Sequence, residues 1–265
     1  LDKYLIKLQE KNYNIVIAKE MTPAPNIVRE IVQVITPGTQ LNVTKKKSNY
    51  LMCIYLTQES TNFSETYNYY GITVIEITTG KLYTYENKEV YYFIQNYKPS
   101  EVLIFNLSKY ETQNILDDFD LNSIPCKSYD SINNKLISIS YINEFLKKIY
   151  HNTGSLTPLE YLDLELMRHA STSLILLLDY IYKLTPSLIS YLNRPIIWNN
   201  ETVLELRNNT LLQLNIIKND SMKSNHKINC LIDVIDKTST AIGKREFKNR
   251  ILNPILDCSD LNKIY

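Results

Sequence analysis

Glycine is scarce in this sequence, with only 5 glycines among 265 residues. A loop that cradles nucleotide phosphates requires a GxxxxGK[ST] or GxGxxG pattern. The glycines at positions 38, 71, 80, 154 and 243 stand alone and form neither pattern. We therefore expect no nucleotide-binding loop within these 265 residues.

Paired cysteines and long apolar runs are also lacking. The four cysteines are widely separated, with no CxxC or Cys/His ligand spacing, which argues against a zinc site or a disulfide framework and favours a reduced, intracellular protein. The longest apolar run, near 174–182, is interrupted by Asp179 and is too short to span a bilayer. The first residues show no Met and no signal-peptide layout, so we expect an internal piece of a longer protein.

The histidines and the net charge argue against two further classes of protein, namely enzymes with histidine-based catalysis and strongly cationic nucleic-acid-binding modules. The three histidines, His151, His169 and His226, lie in unrelated contexts, and His169 is predicted to be a packed or surface side chain. A net charge of +1 argues against a strongly cationic module held to nucleic acid by phosphate attraction alone. The 21 tyrosines accompany many Asn, Ile and Lys residues, a bias typical of an A/T-rich genome, and do not by themselves indicate base stacking.

The first half of the chain has the pattern of an α/β domain over about 45–135. A strand is predicted over 50–59, a hairpin over 69–86 around Thr79–Gly80, and another strand over 101–106. A helix is predicted over 108–119, with Ser108 and Glu111 in a capping-box pattern. Strands followed by alternating helix and strand indicate an α/β fold.

The pattern becomes helical after residue 140. Helices are predicted over 141–150, over nearly all of 155–184 after a Ser/Thr–Pro start, and over 227–252 with Pro254 as the stop. The fold class is therefore α/β plus all-α.

Acidic residues in the α/β region raise the question of a metal-dependent nuclease, which needs clustered carboxylates. Strand 50–58 contains no acid before Glu59, Glu76 lies in the next strand, and Asp117, Asp118 and Asp120 crowd a helix end. Solvated charge is the favoured interpretation, and a ribonuclease-H-like nuclease remains an alternative.

The stretch "DKTSTAIGKREFKNRILNP" (236–254) looks like a basic helix with a glycine in its first turn. Thr238 and Thr240 are start signals. Four basic residues, Lys244, Arg245, Lys248 and Arg250, lie within two helical turns and form a group that is compatible with a phosphate contact or with a solvated helix face.

Two motifs resemble the MutS mismatch-repair family. Residues 230–257 resemble that family's core pattern, with matches that include Asp236, Thr238, Thr240, Gly243, Arg245 and Pro254. "VREIVQVITPGT" (28–39) resembles the family's junction between the mismatch-recognition and connector domains, with matches that include Arg29, Glu30, Thr36, Pro37, Gly38 and Thr39. Between them, Gly71, Thr79 and Gly80 fit a connector pattern in which Glu76 stands where Asp is common.

The resemblance implies three parts. Residues 1–40 would be the end of a mismatch-recognition domain, 45–140 a ribonuclease-H-like connector without nuclease acids, and 141–265 the start of a helical core or lever domain. No catalytic or metal-binding residue is expected in this piece, which would not itself be an enzyme.

The implied function is DNA mismatch repair in response to DNA damage. The intact protein would bind mispaired double-stranded DNA as a dimer and act as a DNA-dependent ATPase, with ATP and Mg bound outside these residues. A MutL-type protein would dock on the connector. The alternative is a recombination-type homologue that binds branched DNA. The protein would act beside its genome, in a nucleus, a mitochondrion or a viral factory.

The resemblance also implies roles within the basic stretch. Gly243 would allow close packing of its helix against a neighbour where a Cβ would clash. The basic pattern itself makes Lys244, Arg245 and Lys248 the predicted DNA contacts, whereas the resemblance places Arg245 at a core position, where it would alternatively pair with an acid such as Asp236.

Overall fold

The protein is described here from a computed structural model, which describes residues 4–5, 7–8, 11, 13–22, 26–40, 49–60, 66–199, 204, 210–217 and 228–264. It divides into two compact units. The first comprises Leu1–Leu41 and Asn49–Trp198, and the second comprises Asn42–Ser48 and Asn199–Tyr265.

The first unit contains a two-stranded sheet and a six-stranded sheet. Their strands are β1 (Ile15–Glu20), β2 (Arg29–Ile35), β3 (Tyr50–Ser60), β4 (Thr66–Glu76), β5 (Lys81–Asn87), β6 (Glu101–Asn106), β7 (Cys126–Tyr129) and β8 (Ile196–Ile197). A short 3-10 turn, Pro37–Thr39, follows β2. The strands predicted at 50–59, 69–86 and 101–106 are confirmed.

The large sheet is mixed, with the strand order β7-β6-β3-β4-β5-β8. β3, β4 and β5 form an antiparallel meander, and the turn between β4 and β5 places Gly80 at a φ of 70°. Glycine adopts this left-handed conformation without the steric cost that a Cβ imposes. β6 and β7 then add in parallel on the far side of β3. The protein therefore has the mixed α/β character expected from the sequence.

Among the described residues, the helices of the first unit that have defined bounds are α1 (Tyr91–Asn96), α2 (Thr112–Asp118), α3 (Asn134–Ile137), α4 (Ile139–Lys147), α5 (Pro158–Tyr161) and α6 (Arg168–Leu184), followed by a 3-10 turn, Pro186–Tyr191. α6 is buried from Ala170 to Asp179 and packs on β3, β4 and β5. Its run of Leu and Ile, 174–178, is fully covered because the sheet presents an equally apolar face.

This packing bears on the predicted domain limits. The sequence predicts an all-α region from residue 141, but the compact unit that holds the sheet continues to Trp198. α6 lies in that unit because its apolar face is buried against the sheet. The limits given from the resemblance stay predictions.

Two helix predictions need correction. The predicted helix over 155–184 is two helices, because Asp163 adopts a left-handed φ of 58° and the segment between them turns Leu162 and Leu164 into the core. The predicted start of α2 is also wrong. Ser108 donates to Asn106 instead, and Glu111 occupies the N-cap position. A capping box does form at Thr157 and Glu160, where the Ser/Thr–Pro start was predicted.

The second unit has the described helices α7 (Thr210–Gln213), α8 (Leu231–Ile235), α9 (Ala241–Leu252) and α10 (Cys258–Ile264). The predicted helix over 227–252 is thus interrupted between α8 and α9. The end before Pro254 is confirmed, since α9 stops at Leu252.

Candidate functional site

The turn after β2 carries the first family-like motif, and it is almost completely buried. Thr36 and Thr39 close the turn on themselves, since the Thr36 amide donates to Thr39 Oγ1 over 2.9 Å. Thr36 is 1% exposed and Thr39 is 4% exposed. A buried turn must satisfy all its backbone polar groups with protein partners, so the surroundings of this one determine its conformation.

Asn49 supplies donors to the carbonyl groups of the turn. Its side-chain amide lies 3.1 Å from the Pro37 oxygen, 3.4 Å from the Gly38 oxygen and 3.1 Å from the Gln40 oxygen. Asn49 directly precedes β3, so these bonds attach the turn to the start of the central strand. Each unmade bond would leave a buried carbonyl without a donor, which is costly.

Glu101 supplies the acceptor on the other side of the turn. Its carboxylate accepts from the Gly38 amide over 2.9 Å and from the Tyr180 hydroxyl over 2.8 Å, and it lies 3.2 Å from Lys127 Nζ. These four residues are called the Glu101 cluster below. Burial, and then the charge of Glu101, raise the pKa of Tyr180, so its hydroxyl stays protonated and donates.

The connector-like motif around Gly71, Glu76 and Gly80 also has a structural explanation. The Glu76 carboxylate accepts from Thr78 Oγ1 over 2.8 Å and from Thr79 Oγ1, so it holds the β4–β5 turn closed. Gly71 lies beneath the first turn of α6, where an added Cβ would be 2.1 Å from the His169 carbonyl oxygen. The motif residues therefore shape a turn and a helix contact.

Glu86 fixes the start of α6 on the sheet. Its carboxylate accepts from the amides of His169 and Ala170 over 2.9 Å and 2.8 Å. An acid at this position satisfies amides that have no partner within the helix and complements the helix dipole.

His169 is packed, as predicted. Its Nε2 lies 2.9 Å from Thr57 Oγ1 and 3.3 Å from Glu59 Oε1, and its ring lies 4.8 Å from the Tyr69 ring. Burial lowers the pKa of His169, and Arg168 lowers it further, although Glu59 and Glu86 act in the opposite direction. The folded protein thus favours the neutral ring.

This lowered pKa predicts a pH dependence of stability. Between the pKa of His169 in the folded chain and the value of about 6.5 in the unfolded chain, the unfolded state binds more protons. The stability contributed by neutral His169 is therefore present above pH 6.5 and declines as pH falls below it. Urea unfolding between pH 7.5 and 5 should show a smaller decline for His169→Gln than for the parent.

Exposed His151 provides the control for this measurement. His151→Gln should follow the parent curve, because the exposed ring loses little solvation on folding. A His169→Gln variant whose decline equals that of the parent would contradict the prediction.

The two acids considered for nuclease chemistry do not lie together. Glu59 pairs with Tyr67 near one end of β3, whereas Glu76 pairs with Tyr50 at the other end. The two pairs lie nine residue steps apart along β3, a distance of roughly 30 Å, which is too far for one metal centre. Among the residues that the structure describes, no group of three or more His, Cys, Asp or Glu side chains is arranged to hold a metal ion.

The acids at the end of α2 are engaged in local hydrogen bonds. Tyr110 donates to Asp118, Tyr91 donates to Asp120 over 3.0 Å, and Asn122 donates to Asp117 over 2.8 Å. Their tyrosine and amide partners support the interpretation of solvated surface charge.

The second family-like motif organises the break between α8 and α9. Asp236 accepts from the amide and hydroxyl of Thr238 over 3.0 Å and 2.5 Å, and it forms an ion pair with Lys244 at 2.9 Å. The Thr238 hydroxyl, followed by Lys244, lowers the pKa of Asp236 to about 2. The acid therefore remains ionised in this turn.

Thr240 is the N-cap of α9, and its hydroxyl accepts from the Gly243 amide over 3.0 Å. The expectation that Gly243 allows packing against a neighbouring helix is not met in these contacts. The nearest atoms to an added Cβ belong to Thr240, at 3.0 Å, and to Thr238. The glycine is accommodated beside its own helix cap.

The three predicted DNA contacts have different environments. Arg245 is buried, with 7% of its surface exposed, Lys244 is partly exposed and paired with Asp236, and Lys248 is exposed. Burial of Arg245 removes it from the outer face of α9. The motif residues Arg29 and Glu30 are exposed on β2, where Arg29 pairs with Glu20 at 2.8 Å.

Sequence reasoning did not find Asn49, Glu86 or the partners in the Glu101 cluster. The available signal for Glu101 was an acid placed directly before a buried run, "EVLIFN", just after Pro99–Ser100. An ionised group in that position requires partners, but their identity depends on the fold.

These features define a mixed α/β protein in which the motif residues build turns, helix starts and buried polar contacts. The chain is 28% identical over 275 residues to the DNA mismatch repair protein MutS of Caldanaerobacter subterraneus subsp. tengcongensis, an alignment that covers 99% of this chain and 29% of the relative. It is 29% identical over 271 residues to MutS of Clostridioides difficile, covering 98% and 26%. It is also 29% identical over 291 residues to a mutS homolog of Acanthamoeba polyphaga mimivirus, covering 96% and 26%.

The chain is a divergent homologue of the MutS DNA mismatch repair proteins. It spans between 26% and 29% of the length of the three relatives just described. No protein-family model matches it. Within the described ranges, no helix is both long and apolar enough to cross a membrane.

Proposed function

We propose that this chain is the connector and first core segment of a MutS-type protein that binds mispaired double-stranded DNA. In the intact protein, binding would be coupled to ATP binding and hydrolysis in a domain outside these residues, where Mg would also bind. The observation that carries the proposal is the buried Thr36–Thr39 turn, which joins the β1–β2 hairpin to the sheet at the family's domain junction. The chain's own role would be mechanical coupling.

The sheet supports a ribonuclease-H-like connector. Its antiparallel meander, β3–β5, is followed by two strands parallel to β3, and the interior of β3 carries no acid. A connector of this kind transmits movement through a rigid sheet and needs no metal-binding carboxylates in its first strand.

The β1–β2 hairpin supports the assignment of residues 1–40 to the end of a mismatch-recognition domain. Several of its large apolar side chains are exposed: Val16, Met21, Ile27, Val28, Ile31 and Val32. A two-stranded hairpin with so much exposed apolar surface is marginal by itself and is expected to pack against more protein. In the intact protein that surface would be covered by the preceding part of the same domain.

Lys248 and Lys244 are the remaining candidates for a DNA contact, with Arg245 acting inside the helical unit. Dimerisation with a second MutS-type chain, docking of a MutL-type protein on the sheet domain, and action beside the genome are further parts of the proposal. They rest on the homology and on the family resemblance.

The test compares four binding measurements on the intact protein. Affinity for a duplex with one mismatch and for the matched homoduplex is measured with and without ATP, at a fixed salt concentration because phosphate contacts depend on salt. We expect tighter binding to the mismatched duplex and a change in that preference when ATP is present. Equal affinities in all four conditions would refute the proposal.

A four-way DNA junction separates mismatch repair from the recombination-type alternative. A mismatch reader should prefer the mismatched duplex over the junction in direct competition. A strong preference for the junction, with equal binding of the two duplexes, would assign the protein to the branched-DNA class instead.

A further inference from the structure

We propose that Glu101 is a positioning residue that locks the Thr36–Thr39 turn onto the sheet, so that displacement of the β1–β2 hairpin is passed to β6, β7 and α6. The inference rests on the proposed function for its consequence in DNA binding. Its structural part, the lock itself, rests on contacts within the first compact unit.

Three separate elements meet at one carboxylate. The turn contributes the Gly38 amide, α6 contributes the Tyr180 hydroxyl, and β7 contributes the Lys127 ammonium group. Glu101 itself begins β6, next to the centre of the sheet. One side chain therefore connects the hairpin's exit to a helix and to two strands.

The Glu101 carboxylate is buried and charged, and both properties strengthen its contacts. The Glu101 side chain is 2% exposed, whereas that of Lys127 is 36% exposed. Charge-assisted hydrogen bonds are stronger than neutral ones, and loss of one partner leaves a buried charge uncompensated. Lys127 Nζ also donates to the Tyr180 hydroxyl and lies 4.8 Å from the centroid of that ring, so the ammonium group contacts two members of the cluster.

The turn rests directly on the sheet, with little space between them. A Cβ added at Gly38 would lie 2.7 Å from Leu51 Cδ1 and 2.9 Å from Glu101 Cβ. The amide of Gly38 is held by Glu101, and its carbonyl group is within reach of Asn49. The peptide is thus fixed from both sides, which is the behaviour of a lock and not of a flexible hinge.

Hydrogen exchange in the intact protein tests the lock. Glu101→Ala removes the acceptor of the Gly38 amide, and we expect its exchange to accelerate about tenfold or more, as for loss of a hydrogen bond to a charged group. Glu101→Gln keeps an acceptor oxygen without the charge and should accelerate exchange less. Amides in the middle of β3 should keep the parent rate in both variants.

Exposed Glu165 provides the matched control, since Glu165→Gln removes the same charge away from the cluster. Should Glu101→Ala fail to fold, Lys127→Met gives a second route, because it removes the counter-charge and leaves the acceptor. We expect Glu101→Gln combined with Lys127→Met to be more stable than Lys127→Met alone, since the pair then contains no buried charge. Unchanged exchange at Gly38 in Glu101→Ala would overturn the lock.

The functional part is read from the same variants with DNA. Without ATP, Glu101→Gln should keep its preference for the mismatched duplex. The factor by which ATP changes this preference should fall about tenfold in the variant, which is an ordinary size for an allosteric coupling. Faster exchange at Gly38 with an unaltered ATP response would refute the transmission role. Failure of the proposed function would show separately, as absence of mismatch preference in the parent protein.

Discussion

Replacing Gly71 with alanine is expected to destabilise the protein by roughly 3 kcal/mol, the upper part of the range for an overpacked core site. The added Cβ would lie 2.1 Å from the His169 carbonyl oxygen and 2.2 Å from its carbon. Both are backbone atoms in the first turn of α6, so no side-chain rotation can relieve the clash. The helix must move away from β4, and the amides held by Glu86 must move with it.

Urea unfolding of the parent and variant measures this effect, provided that the slope of the transition stays the same. Gly154→Ala is the control, because Gly154 has a left-handed φ of 63° but no atom within 4 Å of an added Cβ. It should cost only about 1 kcal/mol, the usual penalty for a Cβ in that conformation. A Gly71→Ala variant no less stable than Gly154→Ala would show that α6 does not rest on β4 at this point.

Replacing Asn49 with aspartate is expected to cost roughly 3 kcal/mol at pH 8, because buried carbonyl groups lose their donors. The Asn49 amide faces the carbonyl oxygens of Pro37, Gly38 and Gln40. A carboxylate of the same shape would place negative charge against these oxygens. The turn would then have to open, or the new acid would have to be protonated.

Protonation of the new aspartate should make the stability of this variant depend on pH, which a simple loss of packing would not do. Burial and the surrounding carbonyl groups should raise the pKa of the new aspartate in the folded state. The folded state then binds more protons, so the variant should regain stability as pH falls from 8 towards 5. The control Asn152→Asp changes an exposed residue and should track the parent at each pH. An Asn49→Asp deficit that does not shrink on acidification would contradict this account.

Local patterns in the sequence predicted the meander correctly because their causes are local. Residues 50–56 form a continuous apolar run, of which 51–56 are buried on both faces of the sheet, and Thr79–Gly80 marks a turn between neighbouring strands. The break at Asp163 was missed because the burial of Leu162 and Leu164, and not helix propensity, decides the path of the chain there. The partner of α6 was likewise unreadable, since periodicity indicates a helix and its apolar face but not what covers that face.

In the candidate site, too, the local turns could be predicted from the sequence, whereas the distant residues that hold them could not. The resemblance directed attention to Thr36–Thr39 and to Asp236–Thr240, and both stretches form ordered turns. The partners that hold the first turn were not predictable, because they come from strands and a helix far along the chain. Arg245 illustrates the opposite difficulty: a basic pattern predicts a charged face, but only the fold shows which basic residue is buried.

The Glu101 cluster has a consequence for the order of events during synthesis on the ribosome. Gly38 is translated 63 residues before Glu101, and Tyr180 follows Glu101 by a further 79 residues. The junction at Gly38 therefore cannot reach its final arrangement until α6 has left the ribosome. Until then the apolar hairpin emerges without its anchor, and at 5–20 residues per second this interval lasts on the order of ten seconds. A nascent chain stalled before residue 180 should consequently be more sensitive to proteases near Gly38 than one stalled well beyond α6.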